Sequence, residues 1–266
     1  MYETTYHRPS SVDDAAALFA KGSESRYLAG GHTLIPVMKQ RLAAPSDVID
    51  LGRIKEMVGI ELSADALTIK AATTYFDITQ NADVKKSIPA IAHLTSMVGD
   101  LAVRYRGTIG GSIANNDPAA DYPAAVLALG ATVKTNKRSI AADDFFKGLF
   151  TTALADGEII TAVSFPIPAK AAYSKMRHPA SRFALTGVFV VKTKAGDVRV
   201  AATGASQNGV MRVPAIEAAL KANWSASALD GVTISAEGLM TDIHGSSVYR
   251  ANLIKVMAQR AVTEAG

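Results

Sequence analysis

The sequence contains no cysteine, only one tryptophan and no long run of apolar residues. The lack of cysteine excludes disulfides, thiolate nucleophiles and cysteine-ligated zinc. It also excludes any iron–sulfur cluster that is held by this chain alone. If a chain of this composition takes part in redox chemistry, it therefore needs another electron carrier.

Strong charge and membrane-spanning segments are missing as well. The 28 Lys and Arg residues exceed the 24 Asp and Glu residues by 28 − 24 = 4, and no long run of like charge occurs. The longest apolar stretches, around 124–133 and 184–191, fall well short of the roughly 20 residues that span a bilayer. The segment from Met1 to Pro9 lacks the apolar core of a signal peptide. We therefore expect a cytoplasmic protein that binds neither nucleic acid nor a membrane.

Size and composition indicate a globular protein of one large domain or two to three smaller ones. The 266 residues are 48% hydrophobic and 20% charged, which excludes a disordered, collagen-like or coiled-coil chain. The proline-punctuated residues 166–170 mark a domain boundary. We predict an α+β protein whose parts are residues 1–56, 57–168 and 169–266.

The first two parts combine helices with strands. In the first, a capping Ser11 predicts a helix that ends at Gly22, and residues 26–51 read as strand, glycine turn, helix and strand. The second part is predicted to contain a hairpin, then helices and further strands, at residues 57–62, 67–73, 74–78, 88–98, 122–129, 131–134 and 159–165.

The last part is predicted to be a small α+β domain. A hairpin is expected at 183–192 and 198–204, followed by helices at 214–222, 227–237 and 247–262.

Two glycine-rich turns are candidates for binding a phosphate. Gly30-Gly31 and the segment 107–112 are each expected to follow a strand, in separate sheets, and to expose backbone N–H groups that form an anion-binding nest. Two such nests suit a pyrophosphate. The dinucleotide fingerprint G-x-G-x-x-G and the P-loop motif are both absent. Judged on the double glycines alone, a plain structural turn is the commoner outcome.

Longer signatures surround these turns: Ala-Gly-Gly-His-Thr-Leu-Ile-Pro at 29–36, Gly-Thr-Ile-Gly-Gly-Ser-Ile-Ala at 107–114 and Asp-Pro-Ala-Ala-Asp at 117–121. From about Tyr6 to the C-terminus, the chain resembles the FAD-binding medium subunit of the molybdenum hydroxylases. That family includes the carbon monoxide dehydrogenase flavoprotein and the xanthine dehydrogenase FAD domain. The resemblance implies a vanillyl-alcohol-oxidase-type (PCMH-type) FAD-binding fold. In it, two α+β subdomains hold the dinucleotide and a C-terminal α+β domain closes over the isoalloxazine.

The resemblance also implies which residues contact FAD. Backbone amides and the Thr33 hydroxyl of the first turn would cradle the pyrophosphate, the second turn would make the opposing contact, and Asp121 would accept a hydrogen bond from a sugar or ribityl hydroxyl. The residues implied in the two turns are Ala29, Gly30, Gly31, His32, Thr33 and Leu34, then Thr108, Gly110, Gly111 and Ser112.

Two more residues are placed beside the flavin ring by the resemblance. Ile160 falls where the family has an apolar residue, and Lys175 falls where a lysine approaches the pyrimidine end and stabilises the anionic reduced flavin. On the residues alone, Lys175 reads instead as a solvated strand residue. His32 is expected to contact the pyrophosphate or to be structural rather than to act as a general base. No catalytic residue and no metal ligand is predicted.

The chain departs from the family's usual pattern at a few positions. Relatives often carry histidine where this chain has Asn115 and asparagine where it has Tyr105, and both changes bear on the adenine or ribose contacts. Arg182-Phe183 stand where many relatives have glycine-tyrosine near the flavin face. These differences bear on flavin coverage and on the choice of electron acceptor.

The function implied is that of an FAD-binding electron-transfer subunit of a multi-subunit molybdenum hydroxylase. Substrate would be oxidised on a large molybdenum subunit, and electrons would cross two-iron, two-sulfur clusters on a small subunit. This chain would pass them to NAD, a quinone, oxygen or a carrier protein, within a dimer of heterotrimers. Two alternatives stay open: a self-contained FAD-dependent oxidase or reductase of the wider fold, and a non-catalytic scaffold that only assembles the complex.

Overall fold

Parallel strands build the first part of the protein in a computed structural model, which describes all residues from 1 to 266. The elements are β1 (Thr5–His7), α1 (Val12–Lys21), β2 (Ser25–Leu28), α2 (Leu34–Lys39) and β3 (Asp47–Asp50). The strand order is β1-β3-β2, and both pairings of β3 are parallel. The predicted strand, glycine turn, helix and strand are confirmed, and β1 is an additional, mostly exposed edge strand.

The start and end of α1 are confirmed as well. The Ser11 hydroxyl accepts the backbone N–H of Asp14 at 3.1 Å, and the helix ends at Gly22. This bond satisfies one of the N–H groups that a helix start leaves without an intrahelical partner. The apolar face of α1 packs on β3 through the fully buried Ala15.

Antiparallel strands form the sheet of the second part. Its elements, in chain order, are β4 (Ile60–Leu62), β5 (Ala66–Lys70), α3 (Tyr75–Gln80), α4 (Ala82–Ser87), α5 (Pro89–Ser96), α6 (Leu101–Arg106), α7 (Ile109–Asn115), α8 (Tyr122–Ala128), β6 (Thr132–Thr135), β7 (Ser139–Ala141), α9 (Ala142–Phe145), β8 (Phe146–Gly148), β9 (Thr151–Thr152) and β10 (Ile160–Pro166). The sheet order is β4-β5-β10-β6-β7, and β8 pairs only with β9. The predicted hairpin is confirmed, and α4 and α6 are additional helices.

The predicted setting of the second glycine-rich segment is wrong. Residues 107–112 do not follow a strand and do not lie in a sheet, because α6 precedes them and α7 begins at Ile109. Thr108 caps α7 by accepting the N–H of Gly111 at 3.1 Å. Gly110 is tolerated in this helix because it packs closely on Ala71, whose Cβ would lie 2.6 Å from a Cβ at Gly110.

The third part is an antiparallel sheet covered by helices. It consists of β11 (Lys170–Arg177), β12 (Ala184–Lys192), β13 (Val198–Ser206), β14 (Gly209–Arg212), α10 (Pro214–Ala222) and α11 (Ser247–Ala265). The strands pair in sequence order, and α11 packs mainly on β11 and β12. The predicted hairpin of β12 and β13 and both flanking helices are confirmed.

The helix predicted at 227–237 is wrong. The chain there forms only a short 3₁₀ turn over Ala226–Leu229 and then continues irregularly to β-bridge and turn structure. Gly231 and the β-branched residues 232–234 disfavour a helix, and Gly238 adopts a left-handed φ of 74°. The apolar residues of this segment are spaced as in a helix, but several of its residues have low helix propensity.

Packing joins the third part to the second. Helix α8 is buried along its whole length and contacts β12, β13 and β14. Tyr173 and Phe189, on β11 and β12, stack with ring centroids 6.0 Å apart and belong to the same apolar core as α8. No helix of the protein is both long and apolar enough to cross a membrane. The residue ranges of the three predicted domains stay a prediction.

Candidate FAD-binding site

A cleft of about 740 Å³ opens where the three parts of the protein meet. Its walls come from the turn between β2 and α2, from the start of α7, from residues 158–160 at the start of β10, and from residues 181–183 between β11 and β12. A volume of this size lies within the range of cofactor sites, which are mostly apolar with a few well-placed polar groups.

The first glycine turn offers free backbone donors to the cleft. The N–H groups from Gly30 to Leu34 donate to no other group of the protein, although these residues line the cleft. Gly31 has a φ of 78°, a conformation that favours glycine, and its carbonyl accepts the N–H of Ile35 at the start of α2. Consecutive unpaired N–H groups require a ligand or water, and they suit an anion such as a phosphate.

The second glycine segment differs from its prediction in chemistry as well as in setting. Three of its N–H groups are used within the protein: Gly110 donates to Ala71 O at 2.9 Å, Gly111 to Thr108 Oγ1 at 3.1 Å, and Ser112 to Thr108 O at 3.0 Å. These three residues therefore contribute no free amide to a nest. What faces the cleft instead is the Thr108 hydroxyl, which has a proton left to donate, the Ser112 hydroxyl, and the bare Cα of Gly111.

The two glycine segments are in direct contact. A Cβ at Gly30 would collide with the carbonyl oxygen of Arg106, and a Cβ at Gly111 would lie 3.3 Å from the Ala29 Cβ. Side chains at these positions would push the segments apart. The glycines thus allow the two segments to come together at the wall of the cleft.

A buried carboxylate forms part of the cleft wall. Asp121, at the start of α8, is 5% exposed and meets Lys175 Nζ at 2.8 Å from one oxygen and 2.9 Å from the other. The Tyr173 hydroxyl donates to Asp121 Oδ1 at 2.5 Å. Burial raises the pKa of Asp121, while Lys175 and Tyr173 act to lower it. A ligand in the cleft therefore meets an acceptor whose position is set from behind by two donors.

Lys175 does not lie where its local sequence predicts. Its side chain is 0% exposed, so it is not a solvated strand residue. It does not line the cleft, and it reaches the site through Asp121. Every other predicted site residue lines the cleft, including Ile160, whose side chain is buried, and His32, whose side chain is exposed.

The departures from the family pattern divide between the cleft and the surface. Asn115, Arg182 and Phe183 line the cleft, and Phe183 is 48% exposed at its mouth. Tyr105 lies outside the cleft and stacks on Phe76 with ring centroids 4.1 Å apart.

Several residues of the site were not predicted from the sequence. Glu158 lines the cleft with its side chain 1% exposed, and the Arg138 guanidinium bonded to it lowers the pKa of Glu158 to about 2. No signal in the sequence relates these two residues. Tyr173 was detectable, because it stands two residues before Lys175 and alternate residues of a strand share a face. Tyr75, on α3, also lines the cleft, and burial raises its pKa to about 12.

The fold and the cleft define an α+β protein with an open site, one wall of which presents unpaired backbone N–H groups. A sequence model of the family described as "FAD binding domain in molybdopterin dehydrogenase" matches residues 2–168. The chain is 35% identical to the carbon monoxide dehydrogenase medium chain of Afipia carboxidovorans, over 98% of this chain and 96% of that one. It is also 35% identical to the nicotine 6-hydroxylase medium subunit of Paenarthrobacter nicotinovorans, with the same coverage of 98% and 96%.

A solved structure shares the whole fold. Reconstituted carbon monoxide dehydrogenase from Oligotropha carboxidovorans contains a chain that superposes with a TM-score of 0.89 at 33% identity, covering 99% of this chain and 97% of that one. The chain belongs to the family of FAD-binding domains of molybdopterin dehydrogenases. The predicted fold class and family resemblance are confirmed, and with them an FAD-dependent oxidoreductase subunit.

Proposed function

We propose that this chain is the electron-transfer subunit of a multi-subunit molybdenum hydroxylase and passes electrons from iron–sulfur clusters on a partner to an external acceptor. The observation that carries the proposal is the run of unpaired N–H groups from Gly30 to Leu34 along the cleft. These donors fit the pyrophosphate of FAD. Bound FAD supplies the redox chemistry, since a flavin exchanges electrons singly or in pairs.

The residues of the chain hold and shield the cofactor. The first turn would bind the pyrophosphate through its amides, and Thr108 and Ser112 would donate hydroxyl protons from the opposite side. Asp121 would accept a sugar or ribityl hydroxyl, and Ile160 would give the ring an apolar neighbour. Lys175 would act on the ring's surroundings through the carboxylate that it pairs with.

The two buried carboxylates of the cleft wall offer little for acid–base catalysis. Glu158 is held as an anion by Arg138, and Asp121 is bound by two donors. A self-contained oxidase or reductase needs a proton donor beside its substrate. The wall residues therefore favour electron transfer over the alternative of a self-contained enzyme.

Partners follow from the same chemistry. The chain has no cysteine, so iron–sulfur clusters that feed it belong to another chain. Two of its relatives carry the names "medium chain" and "medium subunit". We propose a small subunit with two-iron, two-sulfur clusters and a large subunit with the molybdenum cofactor, in a dimer of heterotrimers. The acceptor is a small molecule or a carrier protein, and a cytoplasmic location is part of the proposal.

Co-purification from the native source tests this assembly. The tagged chain is purified, its partners are identified by mass, and molybdenum, iron and flavin are measured. The expected result is a complex in which substrate reduces the flavin, whereas the isolated FAD-loaded chain turns over no aldehyde, purine or carbon monoxide. Turnover by the isolated chain would favour a self-contained enzyme, and a complex without flavin would favour the scaffold.

A further inference from the structure

The buried Tyr173 reaches the candidate site from the third part of the protein. Its hydroxyl donates to Asp121 Oδ1 at 2.5 Å, and the residue is 0% exposed. Lys175, two residues further along the same strand, reaches both oxygens of that carboxylate. Of these three residues only Asp121 lines the cleft. Strand β11 thus supports the cleft wall from behind.

The neighbouring strand leaves space for the Tyr173 hydroxyl. Gly187 stands opposite Lys175 in the register of β11 and β12. A Cβ at Gly187 would collide with the Tyr173 hydroxyl oxygen and would lie 2.9 Å from the ring carbon Cζ. The φ of Gly187 is not in the left-handed region. Glycine is therefore required here by space and not by backbone conformation.

Lys175 and Tyr173, the two donors to Asp121, affect the carboxylate in different ways. Lys175 is a point charge on a flexible stem, with three rotatable donors, and it neutralises the carboxylate. A phenol hydroxyl on a packed ring donates close to the ring plane, so its direction is more restricted than that of an ammonium. The Tyr173 ring is held by stacking on Phe189. Because a carboxylate offers about four acceptor positions, these contacts leave acceptor capacity for a group in the cleft.

We propose that Tyr173, given room by Gly187, is a positioning residue that orients the Asp121 carboxylate to accept a hydroxyl of bound FAD. The inference rests on the proposed function, since it names how the same site holds its cofactor. It assigns part of the cofactor affinity to a residue of the third part that does not itself contact the cleft.

Because Asp121 carries a charge, the pH dependence of FAD affinity can reveal whether Tyr173 positions this carboxylate. The ionisable groups around the carboxylate are Lys175, Tyr173 and Arg177 on β11 and the neutral phenols of Tyr122 and Tyr75. Removing the Tyr173 hydroxyl deletes a donor that stabilises the anion, so the pKa of Asp121 rises further. If FAD binding requires the Asp121 anion, affinity in the variant should therefore begin to fall at a higher pH than in the wild type as the solution is acidified.

Tyr173→Phe in the full chain tests the proposal. We expect the Kd for FAD, measured by quenching of flavin fluorescence, to rise about tenfold, as loss of a hydrogen bond to a charged group implies. The pH below which affinity falls should move upward. The matched control is Tyr6→Phe, which removes a hydroxyl that donates to Asp50 at 2.6 Å outside the cleft. This control should leave both the Kd and its pH profile at wild-type values.

Gly187→Ala supplies a second test that does not remove the hydroxyl. It should also raise the Kd for FAD, and its effect should shrink in the Tyr173→Phe background, because the collision with the hydroxyl is then gone. Wild-type Kd and pH profile in Tyr173→Phe, or additive effects of the two changes, would overturn the inference while leaving the proposed function intact. If the wild-type chain itself binds no FAD, the proposed function fails instead. Should Tyr173→Phe not fold, an unchanged Kd in Gly187→Ala would overturn the inference by itself.

Discussion

The two glycine segments look alike in the sequence, yet they meet the cleft with different chemistry. The first, Gly30-Gly31, is a true turn after a strand, and the N–H groups from Gly30 to Leu34 have no partner in the protein. The second, Gly110-Gly111, lies inside helix α7, and its N–H groups donate to Ala71 and Thr108. In the first segment the glycines leave backbone N–H groups free to donate to a ligand. In the second they allow the helix to pack closely on its neighbours.

The difference arises from a helix cap in the second segment and from backbone conformation in the first. Thr108 caps α7 and commits the second segment to a helix. In the first segment, Gly31 takes a left-handed φ of 78° and delays the helix to Leu34. A double glycine alone therefore does not define a phosphate site, and its hydrogen-bond partners decide its role.

The largest expected effect is in the second segment. Gly111→Asp places both a side chain and a negative charge where a Cβ would already lie 3.1 Å from Thr108 Oγ1, facing the proposed pyrophosphate. We expect FAD binding to weaken by more than about 100-fold, because like charges in a confined site repel strongly. Gly111→Ala, titrated with FAD alongside, separates charge from size and should weaken binding far less. Equal Kd values for Gly111→Asp and wild type would place the site elsewhere.

A smaller effect is expected in the first segment. Gly31→Ala forces a residue with a Cβ into a left-handed conformation, and its Cβ would lie 3.1 Å from Ile35 Cγ1. We expect a loss of about 1–3 kcal/mol in the free energy of unfolding, together with weaker FAD binding. Denaturant unfolding of the apo and FAD-loaded chains measures both. An apo stability equal to wild type would mean that the turn relaxes without strain.

The hydroxyl donors of the second segment should matter less still. Ser112→Ala removes the hydroxyl of a residue that lines the cleft, without disturbing the Thr108 cap. We expect a loss of about 0.5–1.5 kcal/mol in FAD binding, the usual contribution of one hydrogen bond. Isothermal titration calorimetry at constant pH measures this difference in binding free energy. No change would indicate that the second segment contributes shape alone.

The smallest effect is expected at His32. Its exposed side chain makes no hydrogen bond to the protein, and the first segment is proposed to bind through its backbone. His32→Ala should therefore change the Kd for FAD less than twofold, roughly the scatter of surface substitutions. A tenfold loss would show that the imidazole itself contacts the cofactor and would weaken the contrast between the segments.

Local patterns in the sequence predicted most of the elements around the site. The Ser11 cap, the turn at Gly30-Gly31 and the hairpin of β12 and β13 each depend on a few neighbouring residues, and all three are confirmed. No helix forms at 227–237, although the segment is rich in apolar residues, because Gly231 and its β-branched neighbours disfavour helical backbone. Backbone preference was the better guide there.

Pairings distant along the chain could not be predicted in the same way. Lys175 is buried because Asp121 is there to neutralise it, and Glu158 is buried beside Arg138. Which residues meet across such separations depends on how the start of α8 meets the sheet of the third part and on the pairing of β6 with β10. No local pattern records that packing, so the charged pairs behind the cleft wall emerge only in three dimensions.

The most direct test of the account is a titration of the purified wild-type chain with FAD. We expect the chain to turn yellow and to bind FAD without a cysteinyl thioether link, since it has no cysteine. Its melting temperature should rise as FAD is added. A folded chain that shows neither flavin absorbance after reconstitution nor an FAD-dependent rise in melting temperature would contradict it.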